Sequence, residues 1–373
     1  MLIGVPKEIK DHENRVGVTP GGVHTLVAAG HTVQVQTQAG AAIGFSDDDY
    51  KAVGAQMVPD AQVVYACPLI VKVKEPLASE VALLHPGQIL FCYFHLAAAP
   101  VLSQALIERQ IIALAYETVS DASGALPLLT PMSEVAGRIA VQVGATCLHM
   151  AAGGAGILLG GVPGVAPGKV LVIGAGAVGT QAARMALGLG ADVTIMDINL
   201  QRLRYLDDVF GPRLKTRYSE AHAIATLTRE ADLLVSSIYI PGKRATKLIT
   251  RDMVRSMKRG AVLVDVAIDQ GGSAETSRPT SHTDPTYIEE GVVHYCVTNM
   301  PAACARTATE ALTNATLPYL LNLASDPLHA LRDHPGLRQG LQLYRGQVTH
   351  AGLAEDLGLP FTAAETLLSF YTA

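Results

Sequence analysis

Gly174-Ala175-Gly176-Ala177-Val178-Gly179 follows directly on the apolar run Lys169-Val170-Leu171-Val172-Ile173. The next apolar run, Asp192-Val193-Thr194-Ile195-Met196, ends on an acidic residue, Asp197. A strand, a three-glycine turn, a helix, a second strand and a terminal carboxylate, in that order, form the fingerprint of a dinucleotide site. Gly174 permits the tight turn, Gly176 lets the backbone approach a pyrophosphate, and Gly179 lets the helix pack close to the strand. The N–H groups of Ala177 and Val178 at the helix start, with its partial positive charge, favour phosphates. Asp197 stands near the spacing, about 20 residues on, of a carboxylate that accepts hydrogen bonds from a ribose diol. A carboxylate there repels a 2′-phosphate, so the pattern selects NAD over NADP. Arg202 is counted with the cofactor residues because it can soften that repulsion, although a solvated helix residue is the favoured reading of its position.

Working outward, a chain of 373 residues suggests two domains. Hydrophobic residues make up 49% and charged ones 16%, ample for a large core and far from a disordered composition. The net charge of −5 provides no basic field for nucleic acid or an anionic membrane. The five cysteines form no C-x-x-C pair and no metal-ligand spacing, which fits reduced thiols in a cytoplasm. No signal peptide is expected, because Leu2-Ile3-Gly4-Val5 enters a strand at once. Residues 139–168 are uncharged, but eight glycines and two prolines among them argue against a membrane-spanning helix. They read as a buried helix followed by a loop.

The first 128 residues alternate short apolar strands, at 2–5, 32–36, 69–73, 89–92 and 111–115, with helical patterns such as 21–29 and 101–109. That alternation predicts a parallel α/β sheet. Pro127 and Pro131 interrupt it, and Ser133 can cap a helix with a stripe of Val135, Ile139 and Val143. After the glycine turn, strands are expected at 233–236, 261–266 and 293–297. Each ends in small or polar residues, where ligands bind in open parallel sheets. A helix is expected at 309–324, and the C-terminal stretch reads as helical. The last helices return to complete the first domain.

Several blocks carry a resemblance. Met1-Leu-Ile-Gly-Val-Pro-Lys-Glu8, Arg15-Val-Gly-Val-Thr-Pro20 and Val71-Lys-Val-Lys-Glu-Pro76 resemble the alanine dehydrogenase and transhydrogenase superfamily. Phe94-His-Leu-Ala97, Pro131-Met-Ser-Glu-Val-Ala-Gly137, Asp265-Val-Ala-Ile-Asp-Gln-Gly-Gly272 and Asn299-Met-Pro301 are similar to the NAD-dependent L-alanine dehydrogenases within it. The resemblance runs across essentially the whole chain. It implies an α/β fold of two Rossmann-like domains with parallel sheets, separated by a cleft. Residues 1–128 plus 307–373 would form a discontinuous substrate domain and 129–306 an inserted NAD-binding domain. The implied reaction is reversible oxidative deamination of L-alanine to pyruvate and ammonium with NAD, in a cytoplasmic homohexamer with no membrane or nucleic-acid partner.

The resemblance also implies roles for individual residues. A guanidinium can grip a carboxylate with two parallel hydrogen bonds, the role implied for Arg15. Lys72 and Lys74 share one side of the pleat, and the residue pattern leaves both open; the Lys-Glu-Pro block selects Lys74 for the substrate carboxylate or oxo group. Histidine as a residue type can donate and accept a proton near neutrality, and among the twelve in the chain His95 is the implied general acid/base. Asp269 would orient water or ammonia, or else hold its loop, while Asp265 reads as structural. The implied cofactor contacts are Ser133, Ser219, Ile238, Tyr239, Ala267, Ile268, Arg278, Val297, Thr298, Asn299 and Met300. Tyr93 and Met132 would line a methyl pocket, or simply be core. Some relatives carry a magnesium site in the helix after Thr313-Asn-Ala-Thr316, but Asn322 and Asp326 do not reproduce its carboxylate–histidine pair, so no metal is expected. A transhydrogenase subunit, a saccharopine-type dehydrogenase and a non-catalytic NAD-binding protein are the competing readings.

Overall fold

Short apolar runs alternating with helices resolve into two sheets in this computed structural model, which describes residues 1–238 and 246–369. The first sheet contains β1 (Leu2–Val5), β2 (Thr32–Gln36), β3 (Gln56–Val58), β4 (Leu69–Val71), β5 (Ile89–Cys92) and β6 (Ile112–Ala115). The second contains β7 (Lys169–Ile173), β8 (Asp192–Asp197), β9 (Leu214–Tyr218), β10 (Leu233–Ser236), β11 (Val262–Asp265), β12 (Thr286–Glu289) and β13 (Val292–Tyr295). The chain then returns to the first sheet with β14 (Leu341–Tyr344) and β15 (Gln347–Val348). Accordingly the chain divides into two compact units, residues 133–303 and the segments before and after them.

Both sheets are wound alike. The orders are β3-β2-β1-β4-β5-β6-β14-β15 and β9-β8-β7-β10-β11-β13-β12. Each begins at a central strand, steps outward twice, and then crosses back to the other side. The reversal falls between β1 and β4 in one sheet and between β7 and β10 in the other, the switch points where doubly wound sheets bind ligands. Every residue of β4, β5, β6, β10 and β11 is buried, as expected for parallel strands covered on both faces.

The edges depart from the sequence reading. The C-terminal stretch is not helical throughout: β14 pairs antiparallel with β6 and turns back into β15. On the other sheet β12 pairs antiparallel with β13. Both hairpins turn through two residues of positive φ, Arg345 (48°) and Gly346 (88°), and Glu290 (52°) and Gly291 (77°). Such turns match the right-handed twist of the flanking strands. Ser133 does not cap a helix, because the helix Thr130–Cys147 begins three residues earlier and Pro131 sits in its first turn. Residues 153–168 form an irregular segment with one isolated bridge between Val162 and Val165. The helix Ala305–Ser325 is longer than the expected 309–324 and keeps Pro318 inside it.

Candidate active site

In the first unit the charged candidates stand along the carboxyl edge of the sheet. Arg15 lies in the connection after β1, Lys74 after β4 and His95 after β5. The long helix Ala305–Ser325 pins the first of these connections: Val16 N donates to Thr309 Oγ1 (3.2 Å) and Thr19 N to Thr313 Oγ1 (3.2 Å). Arg15 is only 2% exposed. Its Nε and Nη2 donate to the two carboxylate oxygens of Glu13, at 2.7 and 2.6 Å, and its Nη1 approaches Met132 Sδ at 3.2 Å. Burial opposes the Arg15 charge, but the Glu13 carboxylate outweighs it and pushes the guanidinium pKa up.

The two candidate lysines separate. Lys72 is 1% exposed, with Nζ 3.1 Å from Glu8 Oε2 and 2.7 Å from Glu80 Oε1. Glu80 also accepts from the Tyr65 hydroxyl at 2.7 Å. The same Glu8 carboxylate accepts from Val73 N (2.7 Å) and Lys74 N (3.3 Å), so it shapes the turn that presents Lys74. The Lys74 side chain is 11% exposed, and its Nζ lies 3.5 Å from Glu75 Oε2. Burial pushes the Glu75 carboxyl up, yet Lys74 and Lys10 together hold it below the usual range. His95 keeps half of its side chain exposed. Tyr93 and Met132 are buried: the Tyr93 hydroxyl bonds Leu128 O, and Met132 sits on the Arg15 guanidinium.

In the second unit the glycine turn has the stereochemistry its residues demand. Gly174 has φ 98°, and a side chain there would crowd Ser237 O at 3.0 Å. A Cβ on Gly179 would fall 1.8 Å from Gly174 O, whereas one on Gly176 would meet nothing within 4 Å. The turn is therefore closed on the strand side and open at Gly176, the side from which a pyrophosphate approaches. Gly176 offers no side-chain cap to the helix Ala177–Gly188, leaving the first turn of Ala177, Val178 and Gly179 to an outside acceptor. Asp197 and Arg202 grip the Ala175 peptide from both ends. Asp197 Oδ2 accepts from Ala175 N (2.7 Å), while Arg202 Nε donates to Ala175 O (2.7 Å) and its Nη2 to Thr180 Oγ1 (2.8 Å). Arg202 is thus no freely solvated helix residue.

The remaining cofactor candidates of this unit follow the carboxyl ends of β9, β10, β11 and β13, or lie close by. Ser219 N donates to Asp197 O at 3.0 Å. Ile238 packs on the core beside β10, and Tyr239 falls outside the described residues. Ala267 and Ile268 are buried in the short helix Val266–Gln270, which exposes Asp269. Asp269 Oδ1 accepts from Asn299 N at 3.2 Å. Thr298 N bonds Thr280 O, and the flanking Val297 and Met300 are buried. Arg278 is exposed and lays its guanidinium 3.9 Å over the Tyr287 ring. Ser133 lies one helical turn before Gly137, where an added Cβ would meet Val178 O at 2.2 Å; its face of the helix therefore looks toward the glycine turn.

A family model for the alanine dehydrogenase/PNT N-terminal domain matches residues 4–136, and one for the corresponding C-terminal domain matches residues 140–351. The chain belongs to the alanine dehydrogenase/PNT family. Alanine dehydrogenase of Halomonas elongata is 54% identical over 99% of this chain and 100% of its own length. That of Bacillus subtilis is 53% identical over 99% and 98%. A solved L-alanine dehydrogenase superposes with a TM-score of 0.94 at 52% identity, covering 96% of this chain and 99% of its own. A transhydrogenase from Sinorhizobium meliloti shares the fold with a TM-score of 0.80 at 22% identity, covering 94% and 99%.

Within this alanine dehydrogenase/PNT chain, sequence reasoning missed the residues that hold the candidates in place. Glu13, Glu8, Ser237 and Thr180 bond Arg15, the Lys74 turn, the Gly174 carbonyl and Arg202 respectively. Of these only Glu8 falls within a family block, residues 1–8. Asp265 is fully buried and accepts from Ala267 N, Ser273 N, Ala274 N and the Ser277 hydroxyl, so it holds the loop that carries Asp269. Asp326 caps the helix Pro327–Asp333 through His329 N (3.0 Å). Among the described residues, no group of three or more His, Cys, Asp or Glu side chains is arranged to hold a metal ion.

Proposed function

We propose that this protein catalyses the reversible reaction of L-alanine, NAD⁺ and water to pyruvate, ammonium, NADH and a proton. Full-length similarity to alanine dehydrogenases carries the reading, together with a carboxyl edge that gathers Arg15, Lys74 and His95. The cofactor fits the second unit, because Gly176 leaves its turn open while Gly174 and Gly179 admit no side chain. Ser133, the turn Gly174–Gly179, Asp197, Ser219, Arg278 and the 297–300 segment would hold NAD, which when bound accepts a hydride from the substrate carbon.

The chain's own residues do the rest. Arg15 and Lys74 bind the substrate carboxylate and stabilise negative charge on its carbonyl oxygen. Glu13 holds the guanidinium in one orientation, so little rotamer freedom is lost when substrate binds. His95 takes the proton from the carbinolamine hydroxyl in deamination and returns it to the pyruvate carbonyl oxygen in amination. Asp269, held by Asn299 N, orients the attacking water or ammonia. The buried Tyr93 and Met132 keep the adjoining space small, which suits a methyl side chain.

We further place the enzyme in the cytoplasm as a homohexamer, on the resemblance and on five free cysteines. Absorbance at 340 nm tests the main reading: protein, L-alanine and NAD⁺ at alkaline pH should produce NADH. Absence of alanine-dependent NADH at every alanine concentration rejects it, and light scattering tests the hexamer.

A further inference from the structure

Glu117 follows β6, on the same carboxyl edge as His95. Its Oε1 accepts from His95 N at 2.7 Å and from Phe94 N at 3.2 Å, and its Oε2 lies 3.3 Å from Phe94 N. One carboxylate therefore holds two successive backbone N–H groups at the end of β5. At that point His95 turns left-handed, with φ 50° and ψ 43°. A non-glycine residue keeps this conformation only where its surroundings over-determine it. The ring that results is parallel to Tyr93, with centroids 6.3 Å apart and planes 8° apart. Its Nδ1 lies 4.0 Å from Glu117 Oε1, so Nε2 is the ring nitrogen directed away from the carboxylate.

On the reading of His95 as the acid/base, we propose that Glu117 is its positioning residue. Glu117 fixes the backbone that aims the imidazole and keeps Nδ1 on its own side. Nε2 is thereby left for the substrate oxygen. Tyr93, stacked on the ring at the end of β5, and Glu117, after β6, are titratable groups that face it. Glu117 in turn interacts electrostatically with His350, beyond β15, and with Cys92. Arg15 and Lys74 bind substrate in this scheme whether or not Glu117 is charged, so its removal should act on turnover before affinity.

The test compares wild type with Glu117→Gln and Glu117→Asp. Gln keeps an oxygen acceptor for the two N–H groups but removes the charge. Its kcat for alanine deamination should fall on the order of 10-fold, less than the 10²- to 10⁴-fold expected when an acid/base group itself is lost. KM for alanine should stay near that of wild type, because Arg15 and Lys74 rather than the imidazole hold the substrate. NAD affinity should stay unchanged. Asp keeps the charge on a shorter arm that no longer reaches both N–H groups, so kcat should fall with KM again near wild type. A Gln variant with wild-type kcat, or one whose loss falls on KM instead, overturns the proposal. If Gln does not fold, Asp decides, and wild-type kcat in Asp overturns it. An inactive wild-type protein would instead reject the reaction proposed above, so the two failures are distinct.

Discussion

Lys72 and Lys74 lie two residues apart and have opposite fates. Alternation along a strand puts both on one side, so the pattern alone cannot choose between them. Burial does: Lys72 is sealed between Glu8 and Glu80, and Lys74 reaches the sheet edge. Removing one member of a buried ionic group leaves its partners charged and undersolvated, at a cost of about 3–5 kcal/mol. Lys72→Met should therefore lower unfolding free energy by about that amount in urea titrations, whereas Lys74→Met, which leaves Glu75 its Lys10 partner, should cost less stability and cut kcat/KM for alanine. Equal stability losses in the two variants would contradict this division. Arg15 teaches the same lesson. The sequence presents it as an arginine after a charged loop, and nothing local says that Glu13 grips it through two hydrogen bonds.

At the scale of elements, the parallel centre of each sheet was legible and the edges were not. Strands such as Ile89–Cys92 are continuously apolar because both faces are covered. The missed strand Leu214–Tyr218 carries lysine, threonine and arginine, and mixes exposed with buried positions as edge strands do. The hairpin of β12 and β13 was hidden for another reason: its turn is Glu290-Gly291 rather than the commoner Asn-Gly or Asp-Gly. Inside that hairpin His294 is fully buried, stacked on Tyr287 at 4.9 Å. Its Nδ1 bonds Val292 O at 2.9 Å and its Nε2 bonds Thr276 Oγ1 at 2.8 Å. Burial pushes the His294 pKa down, so the folded state resists a proton that the unfolded chain accepts. The stability it contributes is complete above about pH 6.5 and is lost as pH falls toward the depressed folded value. Thermal melts from pH 7.5 to 5.5 should show a smaller drop for His294→Gln than for wild type. An equal drop would remove His294 from the acid response.

At the scale of the molecule, two units of like winding hold different candidate groups. The substrate candidates Arg15, Lys74 and His95 belong to the first and the glycine turn to the second. A variant of the first unit should then spare cofactor binding. His95→Ala is expected to bind NAD within about twofold of wild type by fluorescence titration, while turnover falls by roughly 10²- to 10⁴-fold. Loss of NAD affinity in step with turnover would show that the functions are not so divided. The sequence by itself determined what depends on chain neighbours: the strand–glycine–helix unit with its terminal Asp197, the alternation that makes parallel sheets, and the family blocks. Turn stereochemistry and hydrophobic period are local properties, so they can be read in one dimension. Only the tertiary structure decided which charged side chains are buried against one another, that Arg202 and Asp197 share the Ala175 peptide, and that Glu117 reaches back to His95. Those contacts join distant segments across neighbouring strands, and hydrogen-bond geometry and burial exist only once the sheets have formed.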